Sequence, residues 1–264
     1  MKRIILCVAF MGLLCSPVLA DQKVLDTSIQ AFDDGLMGIM RATPYGTGFE
    51  ASEGFAPGYI GGQAGWTAFS ASVTEGHVGT VNPYAGEQHL RISRDPDISM
   101  GTWTGGFSPD LGAQNDDPVS VSVMVAIGAT GGADYDVVPQ APSQDLQTAH
   151  VNFSWLGDIR VLDDPGTGLD FIDTGVDWVP GGYKDLTIDI DAGSNTIDYS
   201  YDGSLIYSSV AGVFAGTSVE QVVLLSDNYQ VDESGDFDNL VITPEPATLA
   251  LLAIGALGVL RRRR

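Results

Sequence analysis

The chain has 264 residues, 44% of them hydrophobic, enough to bury one large core or two small ones. Its 34 acidic side chains against 12 basic ones leave a formal net charge of -22. Such a surface repels phosphate backbones and anionic headgroups, which argues against nucleic acid as a partner and against peripheral docking on a membrane.

Lys2 and Arg3 form a positive leader, Ile4 to Leu14 an apolar stretch, and Val18-Leu19-Ala20 a small-residue cleavage site. This is the pattern of a secretory signal peptide spanning residues 1–20, with cleavage expected after Ala20. Cys7 and Cys15 both fall inside it. The exported domain is therefore expected to lack disulfides, thiol nucleophiles and cysteine metal sites. Six of the 12 basic residues lie in this leader and at the extreme C-terminus, so residues 21–243 hold 33 acids against six bases. That excess would attract divalent cations, and it would equally serve solubility alone.

Residues 21–45 read as a lead-in segment. Ser28 to Met40 is its best helical candidate, weakened by Gly35 and Gly38. From there on the pattern is strand-like. Gln88 to Arg94, Val119 to Ile127, Ala149 to Trp155, Asp158 to Leu162 and Leu186 to Asp191 alternate apolar and polar residues, which puts one face on a core and the other in solvent. Thr196 to Tyr207 reads as a hairpin, because Asp202-Gly203 is a dipeptide suited to a type I′ turn. Val219 to Leu225 and Phe237 to Ile242 complete about ten to twelve strands without helical crossovers, the pattern of an all-β antiparallel β-sandwich.

The stretch Gly48 to Trp66, with Phe49-Glu50 leading into Gly62-Gln63-Ala64-Gly65-Trp66, resembles the opening of concanavalin A-like, or laminin-G-like, jelly-roll domains of secreted bacterial proteins. Gln88 to Ile92, the Asn195 to Tyr207 hairpin and the closing Phe237 to Ile242 strand are similar to later parts of that fold, so the resemblance implies a jelly-roll domain over residues 46–242. The family includes retaining glycoside hydrolases, whose carboxylates lie on one strand as Glu-x-Asp-x-x-Glu. The nearest match is Asp189 with Asp191, which share a face but have no glutamate after them, so they are expected to be solvent-facing acids. No Gly-x-Ser-x-Gly elbow, His-Glu-x-x-His or phosphate-cradling loop is present. His77, His89 and His150 are isolated and expected at the surface or at sheet edges. No catalytic residue is assigned.

Calcium is the ion to consider, since hard cations take carboxylate and carbonyl oxygens. Sandwiches of this type often hold one near the chain ends, where Glu50 would meet Asp236, Asp238 and Asn239; Asp163 to Asp170 is a second acidic cluster. Sugar binding would need exposed aromatic platforms. Trp103 and Trp178, flanked by glycine-rich loops, are the candidate glycan contacts, Trp66 and Trp155 are expected in the core, and Tyr135 and Tyr183 in loops.

The chain closes with Pro244-Glu245-Pro246, an apolar run from Ala247 to Leu260, and four arginines. As a helix that run would be about 21 Å long, short of the roughly 30 Å hydrocarbon layer. The order of the three parts resembles the PEP-CTERM sorting signal of exosortase-containing Gram-negative bacteria, over residues 243–264. The resemblance implies recognition of Pro244, Glu245 and Pro246 by an exosortase-type membrane transpeptidase, passage through a membrane-anchored stage on a short C-terminal hydrophobic helix, and delivery to the cell surface or extracellular matrix. The expected function is a non-catalytic surface or matrix protein that binds extracellular polysaccharide; a secreted glycoside hydrolase or polysaccharide lyase on the same fold is the alternative.

Overall fold

A computed structural model describes residues 44–69, 76–112, 118–209, 219–229 and 234–244. The signal peptide with Ala20, the candidate helix at 28–40, Glu245, Pro246, the apolar run and the terminal arginines lie outside the described residues. In chain order the first strands are β1 (Tyr45–Thr47), β2 (Gly58–Tyr59), β3 (Thr67–Ala68), β4 (His77–Gly79), β5 (His89–Ser93) and β6 (Thr104–Phe107). Then come β7 (Val119–Ile127), β8 (Tyr135–Ala141), β9 (Leu146–Gln147), β10 (Val151–Phe153), β11 (Asp158–Asp163) and β12 (Asp170–Asp177). The last are β13 (Lys184–Asp191), β14 (Thr196–Tyr201), β15 (Ser204–Ser209), β16 (Gln221–Ser226) and β17 (Ser234–Pro244).

These form two antiparallel sheets. One runs β15-β14-β13-β7-β17-β5-β4-β2, with β1 also on β17; the other runs β12-β11-β10-β8-β16-β6-β3, with β9 also on β8. The result is the jelly-roll sandwich expected. Strand β7 shows why: Val119, Val121, Val123 and Val125 are buried while Ser120, Ser122 and Met124 alternate with them on the other face. The hairpin also forms as expected, with Asp202 at φ 50° and Gly203 at φ 73° between β14 and β15. Both residues need the left-handed region that a type I′ turn demands.

Side chains from the two sheets interlock between them. The fully buried Tyr135 of β8 lies against Gly235 of β17, where even a Cβ would come within 2.4 Å of the ring. At the other side Asp163 of β11, 2% exposed, accepts hydrogen bonds from the Tyr207 hydroxyl at 2.7 Å and the Ser209 hydroxyl at 2.9 Å, both on β15. Burial and this bond together push the Tyr207 phenol up to about 12. Asp163 is thus a clamp between sheets rather than a free member of an acidic cluster.

The described residues hold more strands than the ten to twelve expected, and two of the additions matter for the site. Strand β12 was obscured by its three aspartates and Gly175. Strand β8 was obscured by Pro139, which normally demotes a strand. Here the proline is tolerated because β8 changes neighbours around it: Val137 pairs with β10 and Gln140 with β9. The Pro139 carbonyl, for its part, accepts from the amides of both Thr148 and Ala149.

Candidate functional site

Strand β8 puts Asp136, Val138 and Gln140 on the outer face of the eight-stranded sheet, because Tyr135, Val137 and Ala141 point into the core. Register then builds rows across that face. Asp136 lies opposite Asn152 of β10 on one side and Leu225 of β16 on the other, and Asn152 lies opposite Arg160 of β11. In the next row Val138 faces Val223, which faces Phe107 of β6. The face is therefore divided. Over β8, β10 and β11 it offers hydrogen-bonding groups; over β16 and β6 it offers Leu225, Val223 and Phe107, with Phe69 packed alongside.

The polar half is tightly wired. Asp136, 1% exposed, accepts through Oδ1 from the Asn152 amide at 2.8 Å, and His150 Nε2 lies 3.0 Å from the same oxygen. His150 Nδ1 is 3.1 Å from Gln147 Oε1, and the ring stands edge-on to Phe171 at 4.8 Å. The Gln140 amide donates to Gln221 Oε1 at 2.7 Å. A cavity of about 200 Å³ opens here between His150, Gln140 and Gln147 on one side and Trp103, Phe107 and Leu225 on the other.

One end of the same face carries a second cavity, of about 400 Å³, lined by Gly131, Gly132, Asp134, Trp155, Asp227 and Tyr229. Asp134 Oδ1 accepts the Trp155 amide at 2.7 Å, and Asp227 Oδ1 accepts the amides of Asp134 and Tyr229, each at 3.2 Å. Burial, then the neighbouring Asp134 charge, pushes the Asp227 carboxyl up to about 6; burial also raises that of Asp134.

The tryptophans divide differently from expectation. Trp66 is fully buried and Trp103 is 47% exposed, as expected. Trp178 is only 3% exposed, its indole N–H donating to the Ser154 carbonyl at 2.9 Å, so it has no face to offer a sugar. Trp155, expected in the core, is 47% exposed. The reason is local: β10 ends at Phe153, and Ser154 to Gly157 form a turn closed by the Gly157 amide on the Ser154 carbonyl at 2.8 Å. Trp155 thus sits on a turn, outside the strand alternation. Tyr135 is a buried strand residue and not a loop one, and His89, expected at a surface or edge, is fully buried, 3.4 Å from Asp236.

On the nine-stranded sheet, Asp189 is exposed on the outer face opposite Asp198, with Asp191 two positions on. They are solvent-facing acids, on the opposite sheet from the cavities above. Of the four residues considered for calcium, Glu50, Asp238 and Asn239 approach Gly48, whose Cβ position lies 3.7, 3.6 and 3.3 Å from their side chains. Glu50 Oε1 accepts the amides of Glu87 and Gln88, and Asp238 Oδ2 those of Tyr84 and Ala85. Asp236 is turned away, in a two-bond pair with Arg91 at 2.7 Å; although burial works against ionisation, that pair holds its carboxyl below the usual range. Among the described residues no three of His, Cys, Asp and Glu converge as a metal site.

Asp134, Asp136, Asp227 and Tyr229 were not singled out from the sequence. The only local hint was the alternation Asp134-Tyr135-Asp136 ahead of two valines.

Residues 243–264 match the family model of the PEP-CTERM protein-sorting motif, so the chain carries the sorting signal of an exported exosortase substrate of Gram-negative bacteria. No helix among the described residues is long and apolar enough to cross a membrane. No curated protein matches the chain by sequence. Among solved structures it is similar to a sialidase, at 12% identity and a TM-score of 0.51 over 69% of this chain; the chain spans 17% of that protein's length. It is also similar to the endo-beta-1,4-glucuronan lyase from the fungus Trichoderma reesei, at 10% identity and a TM-score of 0.50, covering 76% of this chain and 94% of the lyase. At such identities the likeness shows the jelly-roll fold alone.

Proposed function

We propose that the protein is a non-catalytic surface or matrix protein that binds polysaccharide along the outer face of its eight-stranded sheet. The observation that carries this reading is the pair of exposed indoles, Trp103 and Trp155, set beside cavities whose polar lining includes Gln140, Gln147 and His150 at one and Asp134 and Asp227 at the other. A pyranose ring has apolar faces and a polar rim, and a face that offers both aromatic surface and oriented hydrogen-bonding groups suits it. The two cavities follow β8 from Asp134 to Gln140, about 20 Å at 3.3 Å per residue, which is room for several sugar units. The PEP-CTERM motif, which implies export, supports a glycan partner outside the cell; on this reading Pro244, Glu245 and Pro246 are the segment an exosortase would recognise, and the C-terminal run would hold the chain in the membrane before that step. The test is retention of the purified full-length protein on a panel of immobilised polysaccharides. Retention by at least one polymer, reduced in both Trp103→Ala and Trp155→Ala, is expected; retention by none would refute the reading.

A glycoside hydrolase or polysaccharide lyase is the second reading, and one observation favours it. Asp227 lies beside Asp134 with a carboxyl pushed up to about 6, where a general acid works. Sugar release that disappears in Asp227→Asn would establish it in place of the first.

Calcium would be held by Glu50, Asp238 and Asn239 with backbone carbonyl oxygens, and not by Asp236, which Arg91 already neutralises.

A further inference from the structure

We infer that the cavity between the start of β8 and the end of β16 is a subsite for a positively charged sugar, a hexosamine unit with a free ammonium group; this rests on the glycan-binding reading above. Three features of the cavity converge on a cation carried by a ring.

The first is its charge. Asp134 and Asp227 line it, and among the described residues no lysine, arginine or histidine does. Behind them Asp136 is 1% exposed, and its Oδ2 has no hydrogen-bond partner. The cation that acts on Asp134 is Arg160, itself paired with Asp158. Carboxylates gathered in a partly dry place repel one another, and an ammonium group entering between them relieves that repulsion while making charge-assisted hydrogen bonds. A neutral sugar offers the hydrogen bonds without the relief. A uronate or sialate adds to the repulsion.

The second is the aromatic surface. Trp155 is 47% exposed and Tyr229 55%, so both can present ring surface to a ligand. A pyranose stacks on such rings, and a cation near a ring face gains further.

The third is that the acids also hold the aromatics in place. Asp134 accepts the Trp155 amide, Asp227 accepts the Tyr229 amide, and the Gly131 amide is 2.7 Å from the Trp155 carbonyl. Asp227 accepts both amides, of Asp134 and Tyr229, through Oδ1. The platform and the charge are one construction, which distinguishes this place from the scattered surface acids around Asp189.

The experiment is calorimetric titration of the full-length protein at near-neutral pH with three oligosaccharides of equal length: β-1,4-linked glucosamine, its N-acetylated counterpart, and a β-1,4-glucan. The glucosamine oligomer is expected to bind about tenfold more tightly than either neutral one, with an advantage that shrinks as salt is raised. Asp227→Asn should bring the three to parity, and Trp155→Ala should weaken all three. Melting curves confirm that each variant is folded, and Asp134→Asn serves if Asp227→Asn is not. Neutral oligomers binding as tightly as the glucosamine oligomer would overturn the charged-sugar subsite and leave the glycan-binding reading standing. Binding of none of the three would overturn the subsite, while the wider polysaccharide panel decides the broader reading by itself.

Discussion

His150 Nε2 lies 3.0 Å from Asp136 Oδ1, and the Asn152 amide donates to that same oxygen at 2.8 Å, so one carboxylate oxygen joins two residues of the β10 edge to β8. Both partners are nearly buried although they stand on the outer face of a sheet. Asp136→Ala removes the acceptor from both at once and leaves an amide and an imidazole without it. Leaving buried polar groups unpaired costs about 1–3 kcal/mol. A melting midpoint lower by several degrees is expected from thermal denaturation followed by circular dichroism. An unchanged midpoint would show that the hub contributes nothing to the fold.

The two tryptophans at either end of the β10–β12 region should behave in opposite ways. Trp178→Ala empties a buried site and loses a bonded indole, costing about 3–5 kcal/mol. Trp155→Ala should change stability by no more than about 0.5 kcal/mol, because its ring is largely in water, while reducing retention on polysaccharide. Chemical denaturation of the two variants side by side checks both directions.

Acidity should act on stability through Asp227. Its carboxyl is raised from the ordinary 3.8 to about 6, with burial the larger cause and Asp134 and Asp136 the like charges facing it; Arg160 acts on Asp134 from β11. A raised carboxyl means that the native state binds the proton first. Stability from this group is therefore present below about pH 4 and is lost as pH climbs through 6. Asp227→Asn is expected to raise the melting midpoint at pH 7 more than at pH 5. Equal effects at both would contradict the assignment. Asp236, held low by Arg91, has the opposite sign: its stability is present above the ordinary carboxylate range and is lost as pH falls below it.

Calcium should raise the melting midpoint of the full-length protein, and chelator should reverse the rise, because an ion bound only by the native state stabilises in proportion to the logarithm of its concentration over its Kd. Glu50→Gln should abolish the shift, whereas an Asp236→Asn variant should keep it. No shift at millimolar calcium would remove the ion from the account.

The sandwich was legible along the chain because its signal is local. A half-buried strand announces itself within a few residues by alternation, as in Val119–Ile127, and a type I′ turn by its two central residues, as in Asp202-Gly203. The sorting motif was legible for the same reason, as an ordered set of neighbours at residues 243–264. The candidate site was not. Asp136, Asn152 and Arg160 form a row only once β8, β10 and β11 pair in one register, and Asp227 joins Asp134 across more than ninety positions. Trp155 and Trp178 exchanged their expected places because the turn ending β10 overrode the alternation that would have carried Trp155 inward. Alternation tells which residues leave the core together; only strand pairing, set by the packing of the whole sandwich, decides which of them meet on the outer face.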